Sequence, residues 1–245
     1  MQVGSPDYFQ MQRTLIEERP LLKYCYDTWY RKMVEANRGK PFLPGEALEL
    51  GSGGSLLSRF VPNLMTSDVV EGVASRVVDG RALPFPDGSL QAIFMTHTMH
   101  HIPEVSLFFR EADRVLKPDG FVAMVEVAHT PFARFFFDRF HPEPYDDRAT
   151  DWNFQQADSM MDSNQALSWM VFERDRARFE REFPRLRLET TQWLPWFTYL
   201  LAGGVTMRNV IPGFLTPVLI GMEHLTALLR PALALHWLLI LRKVG

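Results

Sequence analysis

Ala47-Leu48-Glu49-Leu50-Gly51-Ser52-Gly53-Gly54 decides the fold of this 245-residue chain. An apolar run carrying one carboxylate breaks into glycines, as a buried parallel strand does where it ends in a tight turn and a ligand meets bare backbone. A dinucleotide fingerprint requires a further glycine for close helix packing, and Leu56 stands there instead. Glu49, two residues before the first glycine, suits a ligand with a cationic end better than a pyrophosphate.

Working outward, strands are expected at 64–68, 75–79, 90–95 and 121–127, with a short helix around 55–60. Val105, Phe108, Phe109, Ala112, Val115 and Leu116 recur as one helix face, and Lys117-Pro118-Asp119-Gly120 stops that helix. Strands apolar throughout and separated by helical periods predict an α/β fold, a mostly parallel central sheet with helices on both faces. Only 69–74 separates Asp68 from the next strand, whereas a parallel crossover normally takes about a dozen residues or more. The strand 2 to strand 3 connection is therefore shortened, leaving a gap for the N-terminal arm or a partner subunit in a homodimer to cover.

Upstream, 8–36 reads as two aromatic-rich helices divided near Pro20, a packing arm or a lid. Downstream, 131–152 is aromatic, proline-bearing and acidic and is expected to be an inserted loop. A helix over 165–183, a strand over 185–192, helices over 196–229 broken by Gly203-Gly204 and Pro212, and a last strand over 235–242 complete the reading. One domain is expected over 1–245: an arm (1–45), a cofactor-binding core (46–130), the insertion (131–164) and a C-terminal part (165–245) with apolar helical insertion.

Residues 47 to 128 resemble a class I S-adenosylmethionine-dependent methyltransferase of the small-molecule kind related to ubiquinone/menaquinone methyltransferases, with a Rossmann-like fold. Glu49-Leu50-Gly51-Ser52-Gly53-Gly54 is similar to the first motif of that family, and Asp68 falls at its ribose-binding acid. Asp79-Gly80 with Leu83-Pro84-Phe85 resembles the adenine-contacting segment, His97-Thr98-Met99-His100-His101-Ile102 the segment after strand four, and Leu116-Lys117-Pro118-Asp119-Gly120 the turn before strand five. The resemblance implies a transferase that binds S-adenosyl-L-methionine, leaving S-adenosyl-L-homocysteine as product. Its cofactor-binding residues would be Glu49, Gly51, Ser52, Gly53, Asp68, Asp79, Gly80, Thr96 and His97. The alternative is a catalytically silent methyltransferase-like binding or scaffold protein.

Alignment of a nucleophile with an activated methyl can supply about 7–11 kcal/mol, so a catalytic base is optional. His97, just past strand four, and His141, in the insertion, are the catalytic candidates; either also reads as a pocket-shaping or loop residue. Glu126, His129 and Glu143 lie near the expected site, where loop capping or an ordinary surface loop explains them as well. His97, His100 and His101 could be read as metal ligands at helical spacing, but a zinc set needs a further ligand and no cysteine supplies one, so no metal is expected.

A formal charge of -3 gives no global attraction to nucleic acid, and none is expected as partner. One cysteine, Cys25, and a polar N-terminus point to a cytoplasmic protein, membrane-associated at most. The variable regions are rich in aromatics and leucines. A small, apolar or lipid-linked acceptor follows as the expected substrate, with peripheral membrane contact through 193–241; the same residues also read simply as cover for the sheet.

Overall fold

The computed structural model describes residues 2–155, 162–205 and 211–245. Parts of the expected insertion (156–161) and Arg208 in the apolar region lie outside the described residues. Strands β1 (Ala47–Leu50), β2 (Met65–Asp68), β3 (Arg76–Val77), β4 (Leu90–Thr96), β5 (Leu116–Val127), β6 (Leu186–Trp193) and β7 (His236–Lys243) form one sheet in the order β3-β2-β1-β4-β5-β7-β6. The first five are parallel, and β7 runs antiparallel between β5 and β6. The fold is the expected Rossmann-like α/β arrangement, with the glycine turn at the carboxyl end of β1.

Alternation along the central strands divides the core into two layers, because successive side chains point to opposite faces. Leu48, Leu50, Ile93, Met95, Val122 and Met124 face helix α3 (Val105–Val115) and the segment running from α5 (Leu167–Trp169) to α6 (Arg176–Glu182). Ala47, Phe94, Phe121 and Ala123 face α2 (Pro20–Glu35), whose Leu22, Trp29, Tyr30 and Met33 are fully buried. Each Leu or Phe so buried contributes roughly 1.5–3 kcal/mol relative to exposure. The short helix α1 (Pro6–Glu18) buries only Ile16 and lies over the glycine turn.

Several local expectations change. Residues 131–140 of the expected loop form helix α4 (Pro131–Phe140), since Thr130 caps its first turn through Ala133 N and Pro131 occupies N1. The turn before strand five lies inside β5 as an irregularity, with Asp119 at φ 64°. The helix over 165–183 is interrupted by a π turn, Met170–Arg174. The helix after the glycine turn shrinks to one 3₁₀ turn, Leu57–Arg59. As expected, no helix joins β2 to β3; the N-terminal arm lies there, with Pro6 beside Gly72. The C-terminal helices are α7 (Phe197–Ala202), α8 (Thr216–Leu225) and α9 (Arg230–Leu233).

Candidate active site

The glycine turn is bare because it has to be. Gly51 has φ 64°, and a Cβ there would stand 2.5 Å from Thr98 Cγ2. At Gly54 a Cβ would stand 2.9 Å from both Arg13 N and Phe9 O, so the α1 backbone rides directly on the turn. Ser52 N donates to Ser67 O at 2.8 Å and Gly53 N to Asp68 Oδ2 at 3.1 Å. With these amides taken by β2, the turn is not built as an anion cradle of the phosphate-binding kind.

Two cavities open along the carboxyl edge of the sheet. The smaller, about 370 Å³, is lined by Asp68, Asp79, Gly80 and Ile102. The larger, about 480 Å³, reaches from Ser52, Gly53 and Thr96 to α4 and α7. Phe9, Gly51, His97 and His101 line both and form the neck between them. Both volumes suit ligand sites of ordinary size.

In the smaller cavity Asp68 also accepts from Val70 N, and its remaining lone pairs are open to a diol. Asp79 is gripped by Arg81, which holds its carboxyl below the usual range against the opposing effect of burial. Glu49 is not on a cavity wall: it lies buried beneath the turn, and burial pushes its carboxyl up to about 7, with Ser55, Ser52 and Arg13 resisting. Asp68, Asp79 and the bare turn at Gly51 thus border one cavity.

The larger cavity has two walls of different character. Phe136, Phe137, Tyr199, Leu200 and Leu235 make the apolar wall. His97, His100, His101, His141, Glu143 and His236 make the polar one. The sequence-derived candidates His97 and His141 thus meet in one cavity. His97 takes a left-handed backbone, φ 55°, anchored by its N–H to Val125 O, which turns its ring into the neck. Burial lowers its pKa to about 4, and its Nε2 has no hydrogen-bond partner. His141 Nδ1 accepts from Glu143 N, and burial lowers its pKa.

Behind this wall Glu126, fully buried, accepts from Thr98 N and Met99 N and pairs with His100 Nδ1 at 2.5 Å. Burial opposes charge on His100, but Glu126 and Glu143 outweigh it and raise its pKa to about 10. The three-histidine metal set considered from spacing alone is not what assembles: Glu143 stands 3.5 Å from His100 Nε2 and 3.6 Å from His101 Nε2. His129 is elsewhere, stacked on Trp169 and hydrogen-bonded to Tyr145. Sequence reasoning missed His236 on β7, Tyr199 on α7 and Gln165 in the turn before α5, which reach the cavity from parts remote in sequence; no local spacing marks them.

Residues 48–124 match a family model described as a methyltransferase domain. Among curated proteins, 27-O-demethylrifamycin SV methyltransferase of Amycolatopsis mediterranei is 32% identical over 65 residues, 26% of this chain and 24% of the relative; the match spans about a quarter of that protein's length. Among solved structures, geranyl diphosphate C-methyltransferase of Streptomyces coelicolor superposes with a TM-score of 0.58 at 15% identity, over 99% of this chain and 86% of that one. A geranyl diphosphate methyltransferase solved in complex with SAM gives 0.55 at 16% identity, over 99% and 93%. The likeness establishes the shared fold.

Proposed function

We propose that this chain, whose residues 48–124 match a methyltransferase-domain model, transfers a methyl group from S-adenosyl-L-methionine to a small acceptor with an apolar body and a polar reacting end. The observation that carries this reading is the pair of cavities meeting at Gly51, His97 and His101 above the glycine turn. Asp68 and Asp79 would hold the ribose hydroxyls and the adenine amino group in the smaller cavity, beside Gly80. Ser52, Gly53 and Thr96 would border the cationic tail, and Glu49, buried beneath the turn, would act on it through its charge rather than by contact. The cofactor supplies an activated methyl on a sulfonium sulfur; the remaining work is alignment and exclusion of water. Phe9, carried by α1, closes the neck from above.

In the larger cavity the aromatic wall would take the apolar body and orient its nucleophile toward the neck. His97 is neutral across physiological pH, and its Nε2, buried and without a hydrogen-bond partner, would take the acceptor proton once a substrate packs against it. His141 is the second such group. The acceptors in the relatives' names, 27-O-demethylrifamycin SV and geranyl diphosphate, are themselves small molecules.

We extend the reading to a lipid surface. No helix among the described residues is long and apolar enough to cross a membrane. Phe214, Val218, Leu225 and Leu228 nonetheless stand exposed on α8 and its flanking turns, Leu228 at 91%. Such a patch suits delivery of a lipid-linked acceptor. Calorimetric titration with S-adenosylmethionine, followed by incubation with lipid extract and a search for products heavier by one methyl, tests the proposal. Absence of cofactor binding at millimolar concentration refutes it and favours the silent scaffold, which the missing helix after Asp68 otherwise supports.

A further inference from the structure

The polar wall of the larger cavity contains more than a proton acceptor needs. Glu126 and Glu143 are two carboxylates in a largely buried setting, and among the described residues no lysine or arginine pairs with either; their ionic partners are imidazoles. Charged His100 offsets one of these two carboxylates, and a bound cation would offset the other. His100 Nε2, His101 Nε2 and a Glu143 oxygen converge within 4.8 Å of one another. Donor atoms about 2.0–2.2 Å from a tetrahedral zinc ion stand about 3.3–3.6 Å apart. The two histidine-to-Glu143 separations, 3.5 and 3.6 Å, are already of that size.

The surroundings match as well. Glu126 binds His100 at Nδ1, the carboxylate-histidine support that ligating imidazoles commonly have, and this aims Nε2 at Glu143, where an incoming ion would take the place of the Nε2 proton. Gln165 is buried, its Oε1 is unpartnered, and its Nε2 approaches His100 Nε2 at 3.3 Å and donates to Glu143 Oε2. Turning that amide end for end sets the idle carbonyl oxygen against the same point. His100 and His101 come from the turn after β4 and Glu143 from the segment after α4, so the ion would also tie the insertion to the sheet.

We propose that His100, His101 and Glu143 form a binding site for a zinc-class divalent transition ion, with one coordination position open to the larger cavity. An imidazole-carboxylate set favours zinc, cobalt or iron over magnesium, which prefers oxygen ligands. The open position would accept an oxygen of a molecule in that cavity. The site stands on its own ligands and does not depend on methyl transfer.

The test uses the full chain, stripped of metal and titrated with cobalt(II), followed by visible absorption and by elemental analysis after equilibrium dialysis. One ion per chain is expected, with the intense bands of a four- or five-coordinate centre. Glu143→Gln and His101→Ala should lose it, and Glu126→Gln should weaken binding roughly 10–100-fold. Thermal melting of the unaltered chain gives an independent reading: Tm should rise with zinc or cobalt and not with magnesium. Absence of one-per-chain binding and of any zinc-dependent Tm rise in the unaltered chain overturns the proposal, as does equal cobalt binding in folded Glu143→Gln.

Discussion

Replacing Glu49 by Gln is expected to stabilise the protein in alkali and weaken its hold on the cofactor there. Burial raises the Glu49 carboxyl to about 7, against about 4.3 for an ordinary glutamate. The folded state therefore holds the proton more tightly than the unfolded one. At 1.36 kcal/mol per pH unit the difference is ~4 kcal/mol. The sign follows: the group favours folding fully below about pH 4, and that contribution is lost as pH rises through about 7. Glutamine keeps one acceptor oxygen for Ser52 or Ser55 and never ionises. Thermal melts followed by circular dichroism should give equal Tm values near pH 4, and a Tm ~8–15 °C higher for Glu49→Gln near pH 8. Calorimetry should show the reverse for binding: the unaltered chain loses S-adenosylmethionine affinity as pH falls below about 7, while Glu49→Gln binds weakly throughout. An unchanged or lower Tm for the variant near pH 8 would refute the reasoning.

Gly51→Ala introduces a left-handed alanine (~1–2 kcal/mol) and forces Thr98 off Leu50 O (~1 kcal/mol), so urea unfolding should report a loss of ~2–3 kcal/mol, partly restored by adding Thr98→Ala. His97→Asn, chosen because asparagine tolerates the backbone at that position, should lower kcat about 10²–10⁴-fold with cofactor affinity little changed if His97 takes the proton. In the unaltered enzyme the corresponding acid limb should lie near pH 4, below which His97 is protonated. Leu225→Glu with Leu228→Glu should abolish liposome co-sedimentation without moving Tm, since both side chains are exposed; undiminished sedimentation would count against the lipid-surface reading.

The sheet and the glycine turn were readable because their causes are local. An apolar run, a glycine pair and the stripe on α3 each declare themselves within a dozen residues, and the short link after Asp68 was visible as a simple shortage of chain. Helix α4 escapes the sequence reading because Pro142, Pro144 and the acidic run after it give the whole stretch the texture of a loop, outweighing the Thr130-Pro131 start signal. The polar wall was legible only in pieces. His97 and His141 could be picked as candidates, but the Glu126–His100 pair, the meeting of Glu143 with His100 and His101, and the presence of His236 depend on how β4, β5, β7 and the insertion register in space. Spacing along the chain carries no trace of that.

The arm over the glycine turn has a kinetic consequence. Helix α1 touches the turn through Phe9, Gln12 and Arg13, yet buries only Ile16. A segment with so little buried surface is expected to open locally at a lower free energy than global unfolding. The residence time of cofactor and product would then be governed by how often the arm lifts rather than by the strength of the contacts beneath it. Turnover and product inhibition could be tuned from the first eighteen residues with the chemistry left untouched.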